Sequence, residues 1–557
     1  MPDYIMGIDL GTSNSCMAVV RPTAGGVFLP EILYNIEGQL TTPSVVALTA
    51  KGDWLVGQEA KGQAILNPEN TVFSAKRLIG RSFDDATVGD DAVRTPYRLT
   101  RGEGNSVRIE LDGRGGAKEV LAPEQISAKV LRKLKTDAEA TLGITLSRAV
   151  ITVPAYFDPN QREATLGAAK IAGFDGGVRL ISEPTAAALA YGQHAPKEAE
   201  TLLVFDLGGG TLDVTIIRHR ADPAKGDRYV SRTITGNTHL GGDDFDRAIM
   251  DWMEAEFKRE TSILLGDDPK AMQRIRDAAE GAKIELSGAK PEAAINLPFI
   301  AVGPDGQPRA MALTLTRAKL EELTASLVQD CISCCKTAMA DAALTTDQID
   351  SVLLVGGQTK MPAVQRAVEM FFGKAPSRAV NPDQAVAIGA ALLGNSLLVG
   401  GRAITEGDEE QGGAGEGAGA GSLQIIEVSS QPLGVRLVTN EFSEIIAKGS
   451  TLPASRTRGG YTTVEDGQTK IKVEVFQGQN RLCSANKHIG DVLLENIPPM
   501  RIGEAKLEVT FTLSLDNLIR VKAKETTSGR EVEAVLEIRG AMSERDLQRA
   551  KETEKDS

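Results

Sequence analysis

Cysteine is scarce, with five among 557 residues. So few thiols in so long a chain cannot form a disulfide framework, and a reducing, cytoplasmic setting is expected. Cys331, Cys334 and Cys335 share one face of an expected helix. No second ligand cluster accompanies them, so inert thiols are expected ahead of a metal or redox site. Cationic residues are outnumbered, 62 Lys and Arg against 75 Asp and Glu, for a net charge of −13. That balance argues against nucleic acid as a partner, because phosphate backbones need a basic face. No apolar run reaches the roughly twenty residues of a membrane span, and the chain enters a strand pattern at Tyr4 without a signal-peptide pattern. The length suits two or three domains.

What is present is a repeated turn. Thr201–Phe205 is apolar and is followed by Asp206-Leu207-Gly208-Gly209-Gly210-Thr211-Leu212-Asp213, after which Val214–Ile217 is apolar again. Strand, tight turn, strand is the simplest reading. Glycines there let backbone N–H groups approach an anion, and the aspartates can hold a hydrated divalent cation. Ile8-Asp9-Leu10-Gly11-Thr12-Ser13-Asn14 repeats the layout. Two copies imply an internal duplication, with two lobes holding one polyphosphate.

The cations of Phe73–Arg81 lie beside an apolar helical pattern, and a lysine there suits a γ-phosphate. Pro123 and Gly143 bracket an expected helix, Pro123–Leu142. Ala149–Val153 and Val178–Ile181 read as strands, Asn160–Ala172 and Pro184–Gly192 as helices, with Glu183 at a strand-to-helix junction. Glu280, Lys283 and Ser287 share a helical face. Gly400–Gly421 is Gly, Ala and Glu with almost nothing apolar, a flexible linker, and Leu423–Val428 is a short apolar segment. Beyond it the period becomes two, as in Ile471, Val473 and Val475, which predicts a compact antiparallel sheet domain. Ser543–Glu554 is a short charged helix.

These stretches, with Val153–Phe157, Ser182–Gly192, His239–Asp246 and Val355–Thr359, resemble the seventy-kilodalton heat-shock chaperones of DnaK type. The resemblance implies an α/β actin-like ATPase domain of two duplicated lobes at 1–397, an insertion and linker at 398–427, an all-β sandwich that binds peptides at 428–540, and a short helical remnant of a lid at 541–557. Gly11, Thr12, Ser13, Gly208, Gly209, Gly210, Thr211 and Asp213 would surround the ATP or ADP phosphates. Asp9 and Asp206 would hold Mg2+ through water, with K+ a further candidate ion, and Lys76, Glu183, Asp206, Thr211 and Asp9 would carry hydrolysis. Glu280, Lys283, Ser287, Gly356, Gly357, Lys360 and Asp383 would hold the nucleoside. Lys360 stands where the family usually has arginine, and it stacks less well on a base.

Val435, Val438, Tyr461, Val464, Ile471 and Val473 match the family's peptide pocket and arch, and Pro154, Arg162, Arg179, Ile425, Ile426 and Asp516 its interdomain relay. Thr512 replaces a second acidic contact, and Gln424 interrupts the apolar linker segment. Implied partners are unfolded or extended client peptides, a J-domain co-chaperone and a GrpE-type exchange factor, with no nucleic acid and no membrane. A regulatory peptide binder without refolding activity and a small-molecule kinase on the same scaffold are the competing classes.

Overall fold

The computed structural model describes residues 4–23, 27–193, 199–221, 226–266, 268–399, 423–527, 531–532, 537–538 and 542–556. The Gly-rich insertion lies outside the described residues.

Two sheets are built on the same plan. Met6–Asp9 pairs antiparallel with Asn14–Pro22 and parallel with Ala149–Val153. Ala199–Leu207 likewise pairs antiparallel with Leu212–Arg220 and parallel with Ser351–Val355. Each Asp-x-Gly turn therefore closes the hairpin at the centre of its sheet. The first sheet extends through Val178–Ser182 on one side and Phe28–Ile32 on the other, and the second through Asp227–Asn237 to Leu423–Ile426. Their central strands are apolar on both faces because helices cover both sides.

Helices Glu183–Gly192 and Ala385–Val399 pack against each other between the sheets. Small residues permit this contact. A Cβ added to Gly389 would lie 1.7 Å from the Ala186 carbonyl oxygen, and one on Gly7 would lie 2.2 Å from the Ala391 nitrogen. Glycine at 389 is thus a packing requirement where the two helices meet, and glycine at 7 where strand Met6–Asp9 meets helix Ala385–Val399. Around Lys76 the expected helical pattern shrinks to one tight 3₁₀ turn, Ala75–Arg77. That turn follows Ser74, which has a left-handed backbone with φ of 53°.

The C-terminal part forms two facing antiparallel sheets. One contains Phe442–Ile446, Leu433–Arg436, Ile471–Gln477, Lys487–Leu494 and Glu537–Ile538. The other contains Ala454–Thr462, Lys506–Leu513, Ile519–Glu525 and Glu531–Val532. Alternate residues Leu507, Val509, Phe511 and Leu513 point into the shared core, as the period of two requires.

Helix Glu544–Asp556, expected as a lid remnant, packs on the first lobe against helix Pro159–Ile171. Ala550 enters the lobe's core, and Leu547 covers Gly167. Glu554 pairs at 2.8 Å with Lys129, whose ammonium also lies 4.2 Å from the Trp54 ring centre. Glu124, fully buried at the start of Pro123–Leu142, accepts a 3.0 Å bond from the Met542 N–H.

Burial pushes the Glu124 carboxyl up from 4.5 to about 7. The folded form favours the protonated acid, so this contribution is present below pH 4.5 and is lost as pH rises through 7. Glu124→Gln is expected to flatten that slope and to stabilise the protein at pH 8 by on the order of 3 kcal/mol. Denaturant unfolding at pH 5 and pH 8 measures this, and an unaltered slope would mean that another group titrates.

Candidate active site

The two glycine turns face each other. A Cβ added to Gly209 would lie 2.0 Å from Ser13 Oγ, and one added to Gly210 would lie 2.9 Å from Thr12 Cγ2. Gly11 has no room for a side chain either, since its Cβ would fall 2.0 Å from the Asn14 carbonyl oxygen. The second turn is closed by the Gly208 N–H donating to the Thr211 carbonyl at 3.0 Å. Gly242 N and Asp243 N, at the start of helix Gly242–Thr261, donate to the Gly208 and Gly209 carbonyls at 2.9 and 2.8 Å.

Beneath the turns lies a cluster of buried charge. Lys76 Nζ donates to Glu183 Oε1 at 2.5 Å and to the Leu10 carbonyl at 2.6 Å. Asp206 and Asp213 are direct register partners across the hairpin. Asp9 accepts from Thr152 Oγ1 at 3.4 Å. Burial, then the Glu183 charge, pushes Asp9 up to about 7, with Lys76 pulling the other way. Burial and then the charges of Glu183, Asp213 and Asp9 raise Asp206 well above the usual carboxylate range. Asp213 rises to about 7, chiefly by burial, although the Ala155 and Tyr156 N–H groups each donate to it at 3.2 Å. Four carboxyl groups thus converge around one ammonium.

Farther along the cleft, Glu280, Lys283 and Ser287 lie on helix Pro269–Ser287. Glu280 reaches across to Lys61 at 2.9 Å, joining the lobes. Lys283 pairs with Asp246 at 2.9 Å and donates to the Gly242 carbonyl at 3.0 Å, while Ser287 Oγ bonds the Lys283 carbonyl at 2.8 Å. Gly356 has φ of 82°, and a Cβ there would fall 2.4 Å from the Leu207 carbonyl oxygen. It begins the turn Gly357–Lys360, from which Lys360 forms an ion pair with Asp383. The predicted cleft residues therefore come together from both halves of the duplication.

The family of Hsp70 proteins matches residues 5–557. The chain belongs to the Hsp70 family. It is 46% identical over 547 residues to a chaperone protein DnaK of Deinococcus deserti, covering 98% of this chain and 81% of that one. It is 45% identical over 556 residues to the chaperone protein DnaK of Deinococcus proteolyticus, covering 99% and 82%. As an Hsp70 protein, it is an ATP-dependent chaperone ATPase with actin-like lobes and a β-sandwich domain.

The positions matched to the Hsp70 peptide pocket spread over both sheets and over different depths. Val435 is buried in the sandwich core, and Ile471 and Val473 pack against that core from partly buried positions. Tyr461 is half-buried, with its hydroxyl 2.9 Å from that of Ser443. Val438 and Val464 are exposed.

The relay residues meet at the joint. Arg179 pairs with Asp516 at 2.8 Å, and fully buried Arg162 donates to the Asp516 carbonyl at 3.2 Å. Arg162 also donates to the Ala155 carbonyl at 3.4 Å and the Phe157 carbonyl at 3.2 Å, the segment that begins at Pro154. Ile425 and Ile426 lie in register beside Tyr229 and Val230 on the edge of the second sheet.

Three joint contacts escaped the sequence. Glu427 Oε1 accepts from Ser182 Oγ and from Thr185 Oγ1 at 2.9 Å, at the N-terminus of the helix that carries Glu183. Lys487 pairs with Asp158 at 2.5 Å, and Asn160 Nδ2 donates to the Ile489 carbonyl at 2.9 Å. Asp158 had a local signal as the cap before Pro159, but its role across the joint had none.

Proposed function

We propose that this chain couples ATP hydrolysis in the cleft to the release of extended client peptides from the sandwich. The observation carrying this is the pair of contacts made by one segment. Ala155 and Tyr156 bond Asp213 beside the phosphate turn, and the Ala155 carbonyl bonds Arg162, which in turn reaches Asp516 on the sandwich. A change at the phosphates is thereby transmitted through bonded groups to the other domain.

Gly11, Thr12, Ser13, Gly208, Gly209, Gly210 and Thr211 hold the phosphates in this reading. Glu280, Lys283, Ser287, Gly356, Gly357, Lys360 and Asp383 hold the nucleoside. The buried acidic excess of Asp9, Asp206, Asp213 and Glu183 around Lys76 fits a divalent cation. Asp9 and Asp206 would hold Mg2+, which offsets phosphate charge when bound. Lys76 positions and stabilises the γ-phosphate oxygens, and Glu183 fixes the Lys76 ammonium. Asp206 and Thr211 orient the attacking water, and Asp213 ties that event to Pro154–Phe157.

In the sandwich, Val435, Val438, Tyr461, Val464, Ile471 and Val473 form the pocket and arch around an extended apolar segment. Burying one leucine-sized side chain contributes about 1.5–3 kcal/mol, whereas micromolar binding needs roughly 8 kcal/mol. Main-chain hydrogen bonds must supply much of the remainder, and they do not depend on the client's sequence. A J-domain co-chaperone and a GrpE-type exchange factor are the proposed partners, and the cytoplasm the proposed setting. Among the described residues, no helix is long and apolar enough to cross a membrane.

The test is release of a fluorescent apolar peptide from the full chain. ATP is expected to accelerate release by tenfold or more, since each 1.4 kcal/mol of differential binding is worth about a factor of ten. Release that ignores ATP would leave a peptide binder and an ATPase without coupling.

A further inference from the structure

A second feature of the cleft lies on the far side of Arg77. The stem of Arg77 packs on the phosphate turn: a Cβ added to Gly210 would meet Arg77 Cγ at 3.2 Å. Its guanidinium points the other way, into an interlobe cleft also lined by Tyr97, Asp91, Asp243 and three further arginines, Arg94, Arg247 and Arg276. The cleft encloses a cavity of about 20 Å³ and opens to solvent.

Charge and exposure change along it in a definite order. The Arg77 side chain is 4% exposed, whereas those of Arg94 and Arg247 are 40% and 36% exposed. Four lining arginines face two lining aspartates, in a chain whose overall charge is −13. Asp244, Asp251 and Glu254 stand behind Arg77, Arg94 and Arg247, so the guanidinium forks, and not a net positive charge, are what the cleft offers an anion.

The arginines are already partnered: Arg94 pairs with Asp244 at 2.9 Å and Arg247 with Asp251 at 2.7 Å, whereas Arg77 is held more loosely. Arg77 reaches Asp91 at 3.7 Å, Asp243 at 3.5 Å and Asp244 at 3.2 Å, all longer than a strong charge-assisted bond. Its Nε is buried without a hydrogen-bond partner. Arg276 donates to the Arg94 carbonyl at 2.9 Å and stacks over Phe73 at 4.6 Å, which fixes its fork at the cleft. Guanidinium forks suit tetrahedral oxyanions. Carboxylates competing for them keep binding loose, as a passage requires: favourable enough to enter and weak enough to leave.

We propose that this arginine-lined cleft is the exit route, and a transient binding site, for the inorganic phosphate cut from ATP. Phosphate leaves the turn past Arg77, exchanges with Asp91 and Asp243 for the guanidinium groups, and reaches solvent between Arg94, Arg247 and Arg276. The nucleoside diphosphate does not move along this path, so phosphate departs while ADP stays. The route also lies across the ion pairs that join the lobes, since Ser74 and Arg77 of the first lobe hold Asp243 of the second. The inference rests on hydrolysis taking place in the cleft.

Arg247→Glu/Arg276→Glu in the full chain tests it, because neither residue touches the proposed catalytic groups. Single-turnover ATP cleavage is followed by quenching, and phosphate appearance by a fluorescent phosphate-binding protein. Cleavage is expected to be unchanged, with phosphate appearing roughly tenfold later. Arg247→Lys/Arg276→Lys, which keeps the charge, is expected to release phosphate much more nearly as the unmodified chain does. Cleavage and release that stay superimposed in the glutamate variant overturn the proposal.

Equilibrium dialysis of radiolabelled inorganic phosphate against the ADP-loaded protein separates the two sources of the anion. Weaker binding in the glutamate variant, together with delayed release, supports the exit route. Weaker binding with normal release would make the cleft a site for phosphate from solution and overturn the exit role. Absence of cleavage in the unmodified chain counts against the hydrolytic reading instead, and the dialysis then still decides whether the cleft binds phosphate.

Discussion

Lys76→Ala is expected to lower single-turnover ATP hydrolysis by roughly 10²–10³-fold while ATP remains bound. Among the described residues, Lys76 is the ammonium bonded into a cluster that includes Asp9, Glu183, Asp206 and Asp213. Its side chain is only 8% exposed, so little solvent screens it. In the proposed mechanism, charge that develops on the transferring phosphoryl group would meet this fixed cation without reorganisation. The proposed nucleotide contacts on Gly208–Gly210 and on the helix of Glu280 and Lys283 are left in place, so binding is expected to persist.

The substitution also leaves Glu183 buried without its partner, which can destabilise a protein by about 3–5 kcal/mol. Thermal unfolding must therefore accompany the kinetics. Lys76→Arg separates the effects, since it keeps charge but cannot place one compact ammonium on both Glu183 and the Leu10 carbonyl. Hydrolysis at the unmodified rate in a folded Lys76→Ala protein would remove Lys76 from the mechanism.

Arg162→Ala is expected to reduce ATP-triggered acceleration of peptide release by tenfold or more, with ATP cleavage retained. Arg162 donates to carbonyls of Ala155, Phe157 and Asp516. Hydrogen bonds to charged groups contribute about 1.5–3 kcal/mol each, so losing the bond across the joint alone is worth roughly a tenfold shift. Nearly inverting two populations takes about 5.5 kcal/mol of differential stabilisation. Several joint contacts must therefore act together, and Arg179–Asp516, Lys487–Asp158, Asn160–Ile489 and Glu427–Thr185 remain in the variant.

The expected phenotype is thus a weakened switch. Peptide release with and without ATP, beside single-turnover cleavage, distinguishes it from general unfolding, which would lower both. Full acceleration in Arg162→Ala would place the relay elsewhere in the joint.

Local chemistry made much of the fold legible. Pro123 and Gly143 bounded a helix that the structure reproduces as Pro123–Leu142, and Ala149–Val153 is the strand expected from its apolar run. The duplicated Asp-x-Gly hairpins were legible for the same reason: turn, aspartate and flanking apolar residues are neighbours in the chain. Lys76 stood out in the sequence as a cation beside an expected helix, but that helix is absent there, because the backbone tightens into a 3₁₀ turn after left-handed Ser74.

Glu427 had no local signal. It meets Thr185 across 242 positions, and an acid after an apolar segment looks like any solvated charge until a helix N-terminus is brought to it. Lys487 and Asp158 are separated by 329 positions, so nothing local to either one signals their pairing. The C-terminal helix was visible in its spacing, but its place on the first lobe was decided by Leu547, Ala550 and the buried Lys129–Glu554 pair.

Residues close in the chain, then, were enough to read most of the elements, the duplication, the paired glycine turns and the family to which they point. These depend on backbone preferences and on the spacing of residues close in the chain. Tertiary packing alone set how the acids share one ammonium, which groups join the sandwich to the lobes and where four arginines gather along the cleft. Those properties are set by burial and by distance through space, and folding brings to within 3 Å polar groups that sequence separates by more than a hundred residues.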